Sequence, residues 1–277
     1  HNVVKIVVDS CCELNPDMTD GLNVSFVPFK LGIGNDEILD DENLNIEEFR
    51  FNMSESKEAV RTACPSPQDF LEKFEGDTVY IITITGELSG TYQSAMIAKE
   101  MYMKENPESQ VHVFDSRSAV AGETAVFLNL VDCIKAGKSF EETVSLTEEL
   151  IQRSVTIINL ASLSNLAKNG RIPKIAGKLS KVLNIRMIAK AKDGKIVPVS
   201  IERGLKRSIK SLVNKAMDLC DKSLKTAIVI SQADALDAAK EVKEMLLKSF
   251  PDRIIEITGM KGLSSTYAEE GGLVLHL

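Results

Sequence analysis

A strand-like run followed by a turn of small hydroxyl residues is the part of this sequence whose residue types suggest chemistry. Residues 78–85 are mostly β-branched or aromatic, which is typical of a buried strand in a parallel sheet. Ser89, Gly90 and Thr91 follow where a helix is expected to begin. Gly90 lets backbone approach a ligand, and the hydroxyls and free N–H groups of a first helical turn can bind a small anion. The alternative is that Ser89 only caps this helix.

A second hydroxyl residue precedes the same strand. The segment Arg61-Thr-Ala-Cys-Pro-Ser-Pro67 places Thr62 where its side chain can reach the pocket predicted beside Ser89. The alternative is that Thr62 is a turn residue ahead of a helix that begins within the Pro-Ser-Pro segment. With both hydroxyls in one pocket, the sequence predicts a site for a small, negatively charged group.

The cysteines and histidines do not favour a metal centre or a catalytic triad. Neither a zinc site nor a disulfide framework is predicted, because no Cys-x-x-Cys pair occurs among the five cysteines, Cys11, Cys12, Cys64, Cys133 and Cys220. Two of the three histidines lie at the ends of the chain, and His112 falls in a strand pattern that favours a packed or edge position. We therefore predict no metal and no cofactor.

The elements that position these residues predict an α/β protein with two domains. Strands alternate with helices up to about residue 153, which predicts an α/β/α domain built on a parallel sheet. Beyond it, Asp193-Gly194 lies between two apolar runs and predicts an antiparallel hairpin, so a mixed-sheet α/β domain is expected. The predicted domains are 1–153, which carries the anion site, and 154–277, with a cleft between them. The acidic, Asn-rich residues 34–45 are predicted to form a loop.

Charge and hydropathy exclude several classes of partner. The formal net charge is −7 and no long stretch clusters Lys and Arg, which argues against a nucleic-acid partner. No apolar run approaches the ~20 residues needed to span a bilayer, and no signal peptide precedes the first predicted strand. We therefore expect a soluble, cytoplasmic protein with no membrane span.

Five short motifs resemble the DegV family in their order and spacing. Each is short, but five in the right order across almost the whole chain are a specific signal: Asp9-Ser10, Thr62-Ala-Cys-Pro-Ser66, Leu88-Ser-Gly-Thr-Tyr-Gln-Ser94, Asp115-Ser116, and Asn169-Gly-Arg-Ile172 before Leu183-Asn-Ile185. The resemblance implies two α/β domains and non-catalytic binding of a long-chain fatty acid. In bacteria, some members of this family present the acid to a separate fatty acid kinase, which places them in phospholipid metabolism.

The resemblance also implies roles for particular residues. Thr62 and Ser89 would hydrogen-bond the carboxylate, and Gly90 and Thr91 would shape the turn around it. Arg171 matches the family's Gly-Arg-Ile motif and would face the head group or a partner protein; the alternative is a surface arginine that caps a loop or pairs with a carboxylate. The acyl chain would lie in an apolar tunnel, for which the candidate lining residues, each equally compatible with an ordinary core position, are Phe26, Phe29, Met96, Met187 and Ile188.

The sequence departs from the family pattern at two places. Ala63 follows Thr62 where the family usually has a second hydroxyl residue. The family's C-terminal His-x-Gly-Pro-Gly is absent, and residues 262–267 occupy its place, so Ser264 or Ser265 stands where the histidine would be. The third partner of the carboxylate is left open between them, and the histidine's role is not transferred to His276.

Two enzyme classes are the alternatives to a binding protein. A serine hydrolase acting on an acyl ester would use Ser89 as the nucleophile, but Gly86-Glu-Leu-Ser-Gly90 lacks the Gly-x-Ser-x-Gly spacing and few histidines are present. A phosphate- or nucleotide-binding enzyme is weaker still, because neither a P-loop nor a Gly-x-Gly-x-x-Gly motif occurs. The sequence leaves open the acyl length and unsaturation, the oligomeric state and the identity of a kinase.

Overall fold

The structure, a computed structural model of the chain, describes residues 4–174 and 183–277. The strands in chain order are β1 (Val4–Asp9), β2 (Val24–Val27), β3 (Lys30–Ile33), β4 (Asp36–Leu39), β5 (Arg61–Ala63), β6 (Thr78–Thr83), β7 (Gln110–Asp115), β8 (Thr156–Leu160), β9 (Ile185–Lys192), β10 (Lys195–Arg203), β11 (Ile228–Gln232), β12 (Ile255–Gly259) and β13 (Leu273–His276). The helices are α1 (Ile46–Glu55), α2 (Pro67–Leu71), α3 (Thr91–Glu105), α4 (Ala121–Lys135), α5 (Phe140–Arg153), α6 (Ser164–Lys168), α7 (Leu205–Leu219), α8 (Leu236–Ser249) and α9 (Gly262–Ala268), with a 3₁₀ helix over Pro16–Thr19.

The first half of the chain forms the predicted parallel sheet, in the order β2-β1-β6-β7. All six residues of β6 are buried, because helices cover both faces of the sheet. On one face Phe70 of α2 and Ala95 of α3 pack against β1 and β6. On the other face Phe127 and Leu130 of α4 do so. The prediction of an α/β/α arrangement is confirmed.

The second half forms a six-stranded mixed sheet in the order β10-β9-β8-β13-β11-β12. Only the pair β11 and β12 is parallel, and every other neighbouring pair is antiparallel. Asp193 and Gly194 join β9 to β10 with φ of 52° and 79°, as a tight hairpin turn requires, so the hairpin prediction is confirmed. Helices α7 and α8 bury one face of the sheet.

A third, three-stranded antiparallel sheet in the order β4-β3-β5 was not predicted. The loop prediction for residues 34–45 is wrong at Asp36–Leu39, which pairs with β3 from Ile33↔Asp36 to Lys30↔Leu39. All four residues of β4 are exposed, so the strand has no buried stripe, and backbone pairing alone specifies it. On the other side β3 pairs with β5, which places Thr62 on a strand and not in a turn.

Helix α4 connects the two large sheets. Its residues Val126, Phe127 and Leu130 pack against the parallel sheet. Ala121 and Ala125, near its start, pack in a second cluster with Val229 and Val274 of the mixed sheet and with Phe29 and Leu31. The two halves therefore share a core, while the boundary between residues 153 and 154 stays a prediction. Across residues 4–174 and 183–277, none of the helices has the length and apolar character needed to cross a membrane.

Candidate functional site

A largely apolar cavity lies between the carboxyl ends of the parallel strands and one face of the mixed sheet. Its volume is about 420 Å³, which falls within the ~300–1,000 Å³ typical of small-molecule sites. Its apolar wall includes Phe29, Ile84, Val120, Ile158, Leu160 and Val274. Of the candidate tunnel residues, Phe29 lines the cavity, whereas Phe26 is 41% exposed. Met187 and Ile188 are buried in the core, and Met96 is partly buried against it.

At one end of the cavity a threonine and a tyrosine are joined by a hydrogen bond. Thr62 lies on β5 and Tyr267 lies on α9, and the Thr62 Oγ1 and Tyr267 hydroxyl oxygens are 2.5 Å apart. Both residues line the cavity. Burial raises the pKa of the Tyr267 phenol, against the opposing effects of this hydrogen bond and of the Arg171 charge. Tyr267 therefore keeps its proton at neutral pH and can act as a hydrogen-bond donor.

The turn before α3 brings Ser89 and Gly90 to the same cavity. Ser89 Oγ accepts a hydrogen bond from the Thr91 backbone N–H at 3.2 Å and lies 2.8 Å from Thr91 Oγ1. Thr91 is fully buried and does not line the cavity; it fixes the Ser89 hydroxyl. A Cβ atom at position 90 would lie 3.3 Å from Cys64 Sγ, so glycine allows the turn to pack closely against the segment that follows Thr62.

An exposed arginine, Arg171, is hydrogen-bonded to this turn. Arg171 donates from Nε to the Leu88 carbonyl at 2.5 Å and from Nη1 to the Asn169 carbonyl at 2.6 Å. Asn169 in turn donates from Nδ2 to the Val60 carbonyl, which ties this loop to the chain entering β5. Arg171 also lines the cavity, so a positive charge lies at the end that holds Thr62 and Ser89.

The two serines proposed in place of the histidine are neighbours on α9, and one of them lines the cavity. Ser264 lines the cavity, and its Oγ donates to Cys11 Sγ at 3.8 Å. Ser265 does not line the cavity, because its Oγ donates to the Met260 carbonyl at 3.3 Å and accepts from Arg50 at 3.4 Å. Adjacent helix positions point in directions about 100° apart, and here Ser264 is the one that faces the cavity.

Tyr267 is the residue that sequence reasoning missed. It falls within residues 262–267, the segment that stands in place of the family's histidine motif, but the prediction named only Ser264 and Ser265 there. Ser264 and Tyr267 are three positions apart on α9, and their side chains therefore lie on the same face of the helix. The three-residue spacing from Ser264 would have been enough to predict that Tyr267 also faces the cavity.

Buried carboxyl groups hold the segments that build the cavity. Asp40 accepts from the backbone N–H groups of Gly262 and Leu263 at 3.0 and 2.9 Å, and so fixes the start of α9. Asp9 accepts from Cys11 at 3.0 Å and from Ile84 at 2.7 Å, and both donors line the cavity. A carboxylate that accepts two backbone N–H bonds holds both segments in one geometry.

Two further acids, Glu13 and Glu123, lie close by, and burial raises the pKa of all four carboxyl groups, Asp40 included. Burial raises the pKa of Asp9 to about 6 and that of Glu13 to about 8. Burial, reinforced by the charge of Asp9, holds the pKa of Glu123 well above its usual range. Within residues 4–174 and 183–277 no cluster of three His, Cys, Asp or Glu side chains is arranged to hold a metal ion.

Within residues 4–174 and 183–277, the Ser89 hydroxyl has no base within hydrogen-bond reach to activate it as a nucleophile. Among the described residues its hydroxyl bonds only to Thr91. His112 Nε2 lies 2.9 Å from Glu148 Oε1, and His276 Nδ1 lies 2.8 Å from Thr156 Oγ1, so both described histidines have partners elsewhere. A nucleophilic serine needs a base within hydrogen-bond reach, so this arrangement does not favour the hydrolase.

Comparisons with known proteins agree with the motif resemblance. The model of the DegV family, a family of uncharacterised proteins, matches residues 3–276. A DegV domain-containing protein of Streptococcus pyogenes serotype M1 is 36% identical over 275 residues, which cover 98% of this chain and 98% of the relative. The Streptococcus pneumoniae Fatty Acid Kinase (Fak) B3 protein loaded with linoleic acid has a TM-score of 0.93 at 33% identity, over 99% of this chain and 98% of that chain. A DegV family protein of Ruminococcus gnavus, refined with vaccenic acid, has a TM-score of 0.93 at 32% identity over 100% of both chains.

These matches extend from one end of the chain to the other and include both sheets. The predicted family and the predicted fold, with a parallel sheet followed by a mixed sheet, are therefore both confirmed. Since one family model accounts for nearly the entire sequence, the protein belongs to the DegV family.

Proposed function

We propose that this protein binds a long-chain fatty acid without catalysing a reaction on it. The observation that carries the proposal is an apolar cavity with two hydroxyl-bearing segments, around Thr62 and Ser89, at one end. Two structural relatives are described with such acids: the Streptococcus pneumoniae protein is loaded with linoleic acid, and the Ruminococcus gnavus protein is refined with vaccenic acid. The carboxylate would lie at the hydroxyl end and the acyl chain along the apolar wall.

The hydroxyl end suits a carboxylate because it offers donors without a buried cation. Thr62 and Tyr267 have two hydroxyl protons and use one of them for the bond that joins them, which leaves the other for a ligand. Ser89 adds a third hydroxyl beside the N-terminus of α3, whose free N–H groups favour a negative charge. Arg171, which is exposed, adds long-range attraction at little desolvation cost.

The acyl chain would supply most of the affinity. Each buried methylene contributes ~0.8 kcal/mol, so about fourteen of them contribute on the order of 11 kcal/mol before the costs of binding. The head-group hydrogen bonds are smaller in total, at ~1.5–3 kcal/mol each when the acceptor is charged. The tail therefore determines how tightly the acid binds, and the hydroxyl end determines which way it points.

The position of the carboxylate would make it accessible to a second protein. Gly90, Cys64 and Arg171 are exposed at the hydroxyl end, so a carboxylate held there would lie near the surface. The Streptococcus pneumoniae relative is named as part of a fatty acid kinase. We propose that a separate kinase acts on the acid while this protein still holds its acyl chain.

Removing two hydroxyls at the head-group end tests this orientation. In the variant Thr62→Val with Ser89→Ala we expect the Kd for palmitic acid to rise about a hundredfold or more, because two charge-assisted hydrogen bonds are lost. Isothermal titration of delipidated protein measures the change. The control is Thr19→Val with Ser54→Ala, which removes two exposed hydroxyls that bond only to backbone carbonyls outside the cavity. Equal affinity and unchanged lipid content by mass spectrometry in the site variant would contradict the proposal.

The thiol of Cys64 gives an independent readout of occupancy. Cys64 is exposed and lines the cavity at the hydroxyl end, whereas Cys11, Cys12 and Cys133 are buried and Cys220 is partly buried. We expect a bound fatty acid to slow the reaction of Cys64 with a maleimide at least about fivefold, because the head group and the reagent compete for the same space. Intact-mass spectrometry follows the labelling, with Cys64→Ser as the background. Identical rates with and without palmitic acid would place the acid elsewhere.

A further inference from the structure

The end of the cavity remote from Thr62 carries polar groups in its wall. Strand β8 runs along the cavity, and its Leu160 end lies beside the start of β13, which follows α9 and packs against Ala268, next to Tyr267. Its other end, at Thr156, pairs with His276. At ~3.3 Å per residue, Leu160 and Thr156 are ~13 Å apart. Beside Thr156 the cavity is lined by Ser118, which follows β7. An acyl chain that passes Ile158 would therefore meet hydroxyl groups near its far end.

Ser118, Thr156 and His276 form a chain of hydrogen bonds at this end. The Ser118 and Thr156 hydroxyl oxygens are 2.6 Å apart, and Thr156 Oγ1 lies 2.8 Å from His276 Nδ1. All three residues are buried, with exposed fractions of 4–6%. Gly122 leaves space for these hydrogen-bonded side chains, because a Cβ atom there would lie 1.9 Å from Ser118 Oγ and 3.1 Å from His276 Nδ1.

The protons of these three hydrogen-bonded residues determine which of them can donate to a ligand. Burial lowers the pKa of His276 to about 4, so the imidazole is neutral and carries one proton. Nε2 has no partner among the described residues. A buried N–H without an acceptor is rarer in proteins than an acceptor without a donor, so the proton belongs on Nδ1. Nδ1–H then donates to Thr156, and Thr156 donates to Ser118.

The Ser118 proton is left with a poor acceptor inside the protein. Its one recorded acceptor among the described residues is the carbonyl of the adjacent Ala119, at 3.5 Å. A hydrogen bond of that length is weak, so Ser118 can donate to an oxygen that enters the cavity. Arg117, Lys190 and Lys195 line the same end, and their charges disfavour a cationic group such as an amine.

We infer that this cavity is adapted to an acyl chain that carries a hydroxyl or keto oxygen near the end remote from its carboxylate, with Ser118 as the donor to that oxygen. The inference rests on the proposed function, because it takes the carboxylate to lie at the Thr62 end. An oxygen at the Ser118 position has a partner, whereas an oxygen elsewhere in the tunnel meets only apolar wall and loses its hydration.

Positional isomers of hydroxypalmitic acid, compared with palmitic acid, test this inference. We expect one narrow range of hydroxyl positions to bind about tenfold more tightly than palmitic acid, and hydroxyls nearer the carboxylate to bind about tenfold more weakly. Ser118→Ala should remove the preference, so that the favoured isomer binds no more tightly than palmitic acid does to the same variant. Ser109→Ala, whose hydroxyl bonds to the Asn106 carbonyl away from the cavity, should keep the preference.

The outcomes separate this inference from the proposed function. If palmitic acid binds and no hydroxylated isomer binds more tightly, the inference is overturned and the proposed function stands. If the preference persists in Ser118→Ala with the same hydroxyl position, the assignment of Ser118 is overturned. If neither palmitic acid nor any isomer binds the delipidated wild-type protein, both proposals fall.

Discussion

Ile158→Trp is expected to abolish retention of a long-chain fatty acid while the protein stays folded. Ile158 lies in the middle of β8, paired with Val274 on one side and Ala189 on the other, and its side chain lines the cavity. An indole there would occupy space that the acyl chain needs. Excluding about six methylenes removes ~5 kcal/mol of burial, so the Kd for palmitic acid should rise at least about a thousandfold. Native mass spectrometry of the purified protein and isothermal titration measure the loss.

Folding of this variant can be judged against a matched substitution. The indole enters a cavity of about 420 Å³, so the side chain has room that a packed core would not give it. Ile201→Trp, at a 48% exposed position on β10 of the same sheet, introduces the same side chain away from the cavity and should bind palmitic acid as the wild type does. Full retention of a long-chain acid by a folded Ile158→Trp variant would show that the acyl chain does not run along β8.

In the lipid-free protein, the contribution of Glu13 to stability is expected to be lost as the pH rises from about 4.5 to 8. Burial raises the pKa of Glu13 from the ordinary value of 4.5 to about 8, so the folded state holds a proton that the unfolded state releases. Stability falls with pH wherever the folded state binds more protons, and this contribution is intact below pH 4.5. A shift of this size corresponds to ~5 kcal/mol from Glu13 alone. Asp9, with its pKa raised to about 6, acts in the same direction.

Glu13→Gln isolates this contribution. The glutamine oxygen can still accept from the Lys261 backbone N–H, which Glu13 Oε1 does at 2.9 Å, but the side chain can no longer ionise. We expect the free energy of unfolding of this variant, from urea titrations, to fall less steeply between pH 5 and 8 than that of the wild type. Glu244→Gln, which removes an exposed carboxylate on α8, serves as the control. Parallel curves for the wild type and Glu13→Gln would show that Glu13 is not buried in a protonated form.

The two large sheets were predictable because their sequence signals are local. The β-branched and aromatic residues of Thr78–Thr83 are typical of a strand covered on both faces, and burial of all six residues agrees with this. The Asp193-Gly194 turn fixes an antiparallel pair by its own backbone geometry. By contrast, β4 is a short exposed edge strand, and its existence depends on a partner strand that its own composition does not reveal.

The hydroxyl end of the cavity was predictable only in part. Ser89 and Gly90 follow a strong strand, so their position could be inferred from the strand alone. Thr62 and Tyr267 are 205 positions apart in sequence, and their contact depends on how β5 and α9 pack. The far end could not be inferred for the same reason, since Ser118, Thr156 and His276 come from three separate elements.

Helix α4, packed against both large sheets, limits how a lipid can be exchanged. Its side chains belong to the hydrophobic cores on both sides. A rigid-body separation of the two sheets would therefore expose those cores to water. The hydrogen bond from Thr85 Oγ1 to the Gly194 carbonyl, 2.9 Å long, ties them together again at the hairpin. A fatty acid would therefore enter and leave along its own length. Its acyl chain would go in first, and its carboxylate would come out first.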